Sequence, residues 1–143
     1  MKYVVDTCII NKLIDGKIDP ANLPNNGDFI ASHIQIDELN NTKDVERRAK
    51  LFLKFTKVIH EVVPTESFVL GISRFSESKF DDVNMYTSIK TNLDSLNNGK
   101  KNNPMDALIA EIAIKNKYTL LTTDKDLKEV VERLSGKVRY WQP

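Results

Sequence analysis

The sequence is poor in the residues that carry most metal and redox chemistry. It has one cysteine, Cys8, which excludes an internal disulfide and a cysteine-rich zinc site. Its two histidines, His33 and His60, leave little imidazole for holding a metal. No apolar run approaches the length needed to cross a bilayer, and the first residues lack the basic region and cleavage site of a secretory signal. A soluble, cytoplasmic protein in a reducing compartment is therefore expected, with no membrane partner. Neither sign of charge is in excess: the formal net charge is +1, so any surface for nucleic acid has to be a local patch. No internal repeat is present.

What the chain does have is length and apolar content for one core: 143 residues, 41% of them hydrophobic, predict a single domain spanning 1–143. Short β-branched or apolar segments bounded by polar residues predict strands at 3–5, 29–31, 61–63 and 119–122, with a fifth at 138–141. Helical patterns lie between them, and that alternation predicts an α/β fold with a mostly parallel sheet covered on both faces. Ser32 with Gln35 forms a capping box for a short helix to about Asn40; Asp126 with Glu129 forms a similar one, with Gly136 as its stop. Asn103 as N-cap and Pro104 at the first helical position open the run MDALIAEIAIKN, which is apolar nearly all round and so belongs in the core. Residues 76–103 are polar and asparagine-rich, predicting a helix followed by an exposed loop.

Four acids fall where such a sheet would gather them. Asp6 ends the first strand, Asp124 follows the fourth, Glu38 lies in the helix after the second, and Asp106 lies in the first turn of the helix before the fourth. In open parallel sheets, sites form outside the carboxyl ends of the strands. Carboxylates pushed together there repel unless a cation lies between them, and a hard divalent ion suits oxygen ligands without help from histidine or cysteine. Each acid also has an ordinary alternative. Asp6 suits an N-cap, Asp124 a turn, and Asp106 the positive end of its helix. Glu38 is harder to explain in this way, because it sits toward the negative end of its helix.

The segments VVDTCII, SHIQIDEL, DALIAEIAI and LLTTDKDL occur in the order and approximate spacing seen in PIN-domain nucleases, and the chain most resembles the small single-domain toxins of the VapC type. The resemblance implies a three-layer α/β/α sandwich around a five-stranded sheet, a Mg2+ or Mn2+ site, and endonucleolytic cleavage of RNA. It makes Asp6, Glu38, Asp106 and Asp124 the acidic quartet, with Asp6, Asp106 and Asp124 on the metal. Thr122 becomes a supporting hydroxyl and Asp126 an extra acid. An antitoxin partner and a homodimer are expected on the same ground. Cys8, Asn40 and Leu127 depart from the family pattern, and residues 64–103 match no part of it.

A local basic patch is also present. Lys43, Arg47, Lys50, Lys54 and Lys57 follow at intervals of 4, 3, 4 and 3, which makes a stripe down a helix; Val45, Ala49, Phe52, Phe55 and Ile59 would pack on the sheet. Such a stripe can track RNA phosphates, and an ordinary solvated face, the commoner case, has the same spacing. Lys100 and Lys101, just before the Asp106 helix, stand nearer the expected cleft. Other readings remain open: an RNA-processing nuclease that is no toxin, a retired scaffold that binds RNA or protein, and a phosphohydrolase using Asp6 as nucleophile. The haloacid dehalogenase pattern behind the last needs a second aspartate where Cys8 stands. Carboxylates beside Cys8 would raise its pKa, so a buried filler is its expected role.

Overall fold

The computed structural model describes residues 1–67, 69 and 84–141. Five strands, β1 (Lys2–Val5), β2 (Asp28–Ala31), β3 (Glu61–Val62), β4 (Thr119–Thr122) and β5 (Lys137–Tyr140), form one sheet in the order β3-β2-β1-β4-β5. Every pairing is parallel, with Val4 opposite Leu120 and Ile30 opposite Glu61. All four residues of β4 are buried, as a strand covered on both faces requires, whereas the edge strand β5 alternates between exposed and half-buried residues.

Side chains alternate across the sheet with the period of two that a pleated strand imposes. Val4 and Leu120 pack with Ile89, Leu108, Ile112 and Leu127 on one face. Tyr3, Val5, Phe29, Ala31 and Leu121 pack with Ile9, Leu13, Leu51 and Phe55 on the other. The helices α1 (Thr7–Ile14) and α3 (Val45–Val58) cover the second face, α4 (Asn84–Asn97), α5 (Asn103–Asn116) and α6 (Lys125–Arg133) the first, giving the three-layer arrangement expected. A short 3-10 turn, Pro20–Asn22, precedes β2, and α2 (His33–Asn40) follows it. No helix among the described residues is long and apolar enough to cross a membrane.

The predicted capping box of α2 is present, with the Ser32 N–H donating to Gln35 Oε1 at 2.9 Å. Two other helix starts differ from expectation. Asp124, not Asp126, caps α6: its Oδ1 accepts the N–H groups of Asp126 and Leu127 at 2.9 and 3.3 Å. It is the last extended residue as the chain turns off β4, so its carboxylate reaches the free N–H groups first. At α5 the N-cap position falls on Asn102, which makes no side-chain cap, and Asn103 is the first helical residue with its side chain buried. Gly136 also acts for a different reason. Ser135 takes the left-handed conformation after α6 (φ 63°); Gly136 follows where a Cβ would meet Val131 Cγ1 at 2.6 Å, so the position requires room. The helix predicted within 76–103 is α4; residues 76–83 lie outside the described residues.

Candidate active site

The chain steps outward from β1 to β2 to β3, then returns to lay β4 against the other side of β1. Strand order therefore reverses between β1 and β4, and in open parallel sheets ligands bind in the crevice at such a reversal. Asp6 leaves β1 there, its N–H donating to the Leu121 carbonyl at 3.0 Å. The Thr122 hydroxyl, at the end of β4, donates to Asp6 Oδ2 at 2.7 Å and accepts the Asp124 N–H at 3.0 Å. Asp6 does occupy the N-cap position of α1, but its side chain makes no capping hydrogen bond. Asp6 is only 6% exposed, and its carboxylate is turned instead toward Thr122 and toward the Cys8 thiol, which donates at 3.4 Å.

Glu38 reaches the same place through Gln35. While Gln35 Oε1 serves the capping box, its Nε2 donates to the Val5 carbonyl at 3.0 Å and seats α2 against the end of β1. Glu38 follows one turn later on the same side of the helix. Burial pushes its carboxyl up to about 7, the charge of Asp6 adds to this, and the nearby Thr7 hydroxyl opposes it. Neither Glu38 Oε1 nor Thr7 Oγ1 completes a hydrogen bond of good geometry, although both are buried.

Asp106 completes the group from the first turn of α5. Burial pushes its carboxyl up to about 8, the charges of Asp6, Glu38 and Asp124 push the same way, and Lys100 opposes them. Asp6 is raised as well, first by burial and further by Asp124, against the hydrogen bonds from Thr122 and Cys8. Asp124 thus serves twice, capping α6 while its charge acts on Asp6 and Asp106. Four carboxyls brought from four parts of the chain form one electrostatically linked set.

Such a set fits a hard divalent cation. Its donors are all oxygen, the buried Glu38 Oε1 completes no hydrogen bond of good geometry, and the raised carboxyls are what a nearby cation would relieve. Among the described residues, no three His, Cys, Asp or Glu side chains converge as a ready-made metal cage. An ion such as Mg2+ could be held there by only one or two of the carboxylates directly, with waters and substrate phosphate completing its shell.

Other predicted residues stand apart. The Asp126 backbone bonds to Asp124, but its carboxylate is not among the leading charges acting on Asp6, Glu38 or Asp106. The basic stripe is broken. Lys43 precedes the Asp44 cap of α3, and Arg47 is held by Asp15 at 2.7 and 3.3 Å and by Asn11 at 2.9 Å. Val45 is 66% exposed and does not pack on the sheet, whereas Phe55 is buried as expected, Phe52 and Ile59 pack against the same core, and Leu51 joins them. Lys50, Lys54 and Lys57 do share a face, where with Leu13, Ile14 and Leu53 they line a groove of about 250 Å3. Leu13 and Ile14 lie at the far end of α1 from Asp6, about 10 Å along the helix at 1.5 Å per residue. Of the histidines, His60 Nδ1 accepts the Phe29 N–H at 3.3 Å near the opposite end of β2.

Cys8 does more than fill space. Its Sγ accepts the Thr123 hydroxyl at 3.1 Å, and burial followed by the charge of Asp6 pushes the thiol up to about 12. A thiol held protonated is a hydrogen-bond donor to Asp6 and not a nucleophile. Thr123, and the bond from Gln35 to Val5, carried no distinguishing signal in the sequence, because a threonine after a strand and a glutamine in a capping box already have ordinary explanations.

Solved structures match the chain at nearly full length. A chain of VapBC2 from Rickettsia felis, bound to a DNA fragment from the promoter, superposes with a TM-score of 0.64 at 21% identity, covering 99% of this chain and 100% of that one. A chain of VapBC-5 from Mycobacterium tuberculosis, of the VapBC family of toxin-antitoxin systems, gives 0.57 at 16% identity, covering 98% of each. The fold is PIN-like. A domain of a functionally unknown protein from Methanocaldococcus jannaschii gives 0.50 at 19% identity, covering 99% of this chain and 91% of that one. No family model and no curated protein matches the sequence. At these identities the likeness establishes the PIN-like fold; activity has to be argued from the site.

Proposed function

We propose that the protein is a Mg2+- or Mn2+-dependent endoribonuclease and the toxin of a toxin-antitoxin pair. The observation that carries the chemistry is the linked set of Asp6, Glu38, Asp106 and Asp124 at the reversal of strand order. Asp6, Asp106 and Asp124 would hold the ion directly or through water, with Glu38 beside them. When bound, such an ion polarises a phosphoryl oxygen and lowers the pKa of a water that it holds. The chain's own contribution is orientation. Thr122 fixes Asp6 in one conformation and ties it to the backbone of Asp124, so the ends of β1 and β4 act as a unit. Gln35 fixes the approach of Glu38. Lys100 and Lys101 lie on the exposed turn before α5, where an RNA strand entering the cleft would meet them.

Cleavage of mixed RNA by the purified protein should require a divalent ion, stop on adding EDTA, and be lost in Asp6→Asn and Asp106→Asn. Cleavage that survives EDTA would sink the metal mechanism. The toxin and antitoxin reading draws on the toxin-antitoxin chains that share the fold. It is tested by expression of the active enzyme in its native host: arrested growth, relieved by a co-expressed neighbouring reading frame, supports it, and harmless expression points to RNA processing instead. Assembly as a homodimer is part of the same proposal and is read by light scattering.

A further inference from the structure

The junction between α4 and α5 is built around two asparagines that the carboxylate site does not use. Asn103, only 1% exposed, donates from Nδ2 to Asp94 Oδ1 and to Asn97 Oδ1, both at 2.8 Å. Asn97 Nδ2 donates back to Asn103 Oδ1 at 3.0 Å, so the two amides close on each other. The other oxygen of Asp94 takes the Lys90 ammonium at 2.8 Å. Lys100 is caught between the two asparagines: its N–H donates to Asn97 Oδ1 at 3.2 Å and its carbonyl accepts the Asn103 N–H at 3.0 Å. The chain reverses through Asn98 and Gly99, both left-handed with φ of 58° and 73°. A non-glycine residue stays in that conformation when its surroundings hold it there. One turn further on, α5 carries Asp106.

We propose that Asn103 is a positioning residue: with Asn97 it fixes the backbone of Lys100, so that the ammonium stands at the mouth of the carboxylate cleft and takes a phosphate of the RNA strand. This rests on the nuclease reading above. Four acids in one crevice repel a polyanion, and a cation at the entrance offsets that repulsion. A lysine on a loose loop would lose backbone as well as side-chain freedom on binding; fixing its backbone beforehand removes part of that cost. Lys100 is exposed on the turn that leads into α5, six residues before Asp106. The buried amide pair is thus a support for one exposed side chain.

Binding is read by fluorescence anisotropy of a labelled single-stranded RNA, with Mg2+ present and on protein carrying Asp6→Asn so that the strand stays intact. Lys100→Met should weaken binding severalfold and reduce the slope of log affinity against log salt by about 0.7, the value for one contact to a single strand. Asn103→Ala should reproduce most of that loss, and adding Lys100→Met to it should cost little more, because the two act together. Asn97→Ala, which leaves the buried Asn103 in place, supports the same cycle should Asn103→Ala fail to fold. An effect of Lys100→Met that is undiminished in these backgrounds overturns the positioning role, since a purely structural asparagine would lower the melting temperature without that coupling. A parent protein that binds no RNA overturns the nuclease reading and this inference with it.

Discussion

Two charged regions of this molecule obey opposite logic. At the carboxyl edge of the sheet, four acids from four elements press their charges on one another inside a partly buried crevice. On the face made by α1 and α3, an arginine and three lysines stand at helical intervals, yet the arginine is paired with Asp15 and the lysines border a groove open to water. Local spacing brought the bases together and left them unremarkable. Topology brought the acids together across more than a hundred residues, at a cost in repulsion that stability alone does not explain. An unfavourable arrangement assembled over long range is the stronger pointer to function.

The sharpest way to break this contrast is to remove one acid. Asp106→Asn should abolish divalent-dependent RNA cleavage, by about 10³-fold or more, the upper range for losing one preorganised electrostatic group in an active site. A residual rate within tenfold of the parent would move Asp106 out of the machinery. Asp6→Asn should behave alike. Basic residues changed on the α3 face should have no comparable effect.

How far the two regions were legible beforehand follows from the range of the interactions involved. The five strands and the α2 capping box depend on neighbours in sequence, and the parallel order follows from alternation with helices. Asp6 and Asp124 could be placed because they flank strands whose carboxyl ends must lie at one edge. The stripe keeps its spacing at Lys50, Lys54 and Lys57 and loses Arg47 to Asp15, the residue that ends α1, because spacing along a helix does not say what packs against it; Val45 likewise stays in water while Leu51 and Phe55 are buried. The capping roles expected of Asp126 and Asn103 fall to their neighbours Asp124 and Asn102 for a related reason. Whether an asparagine caps a helix or is buried behind it depends on α4, which sequence spacing does not place. Glu111 carries no signal within an otherwise apolar helix, yet it lies fully buried in α5 and accepts the Ser67 hydroxyl at 2.9 Å.

A second test sharpens the acid side. Thr122→Val keeps the shape of the end of β4 and removes the bond that orients Asp6. Loss of a partner that orients a metal ligand lowers metal affinity by about 10–100-fold, and titration of Mn2+ by calorimetry would show it. Unchanged affinity would mean that Asp6 is oriented without Thr122.

A third test uses pH. With no metal bound, burial pushes the Asp106 carboxyl from an ordinary 3.8 up to about 8 and the Glu38 carboxyl from 4.5 up to about 7. Between those limits the folded state keeps protons that the unfolded chain has released, so these groups favour folding at low pH and that contribution is lost as pH rises through the window. Melting in EDTA should therefore fall between pH 5 and 8, as a change of several degrees, given about 3–4 °C per kcal/mol for a chain of this size. Asp106→Asn should flatten the fall and melt higher than the parent at pH 8, while added Mg2+ should restore the parent by binding its folded state. A variant that loses activity and gains stability is the signature of charges held together for a purpose; equal slopes in parent and variant would remove it.

The smallest effect belongs to the α3 face. Replacing Lys50, Lys54 and Lys57 together by glutamine should leave the cleavage rate and the salt dependence of RNA binding within about twofold of the parent, because a solvated lysine that meets no phosphate releases no counterion when RNA binds. Arg47→Ala should lower the melting temperature slightly by freeing Asp15, with no change in cleavage, since an exposed ion pair contributes little. The informative comparison is with Lys100→Met, a single change expected to weaken RNA binding more than all three lysines on α3. Should the triple variant instead lose affinity with a salt slope lower by about two, RNA runs along α1 and α3 as well as into the crevice, and the groove between those helices is part of the substrate path.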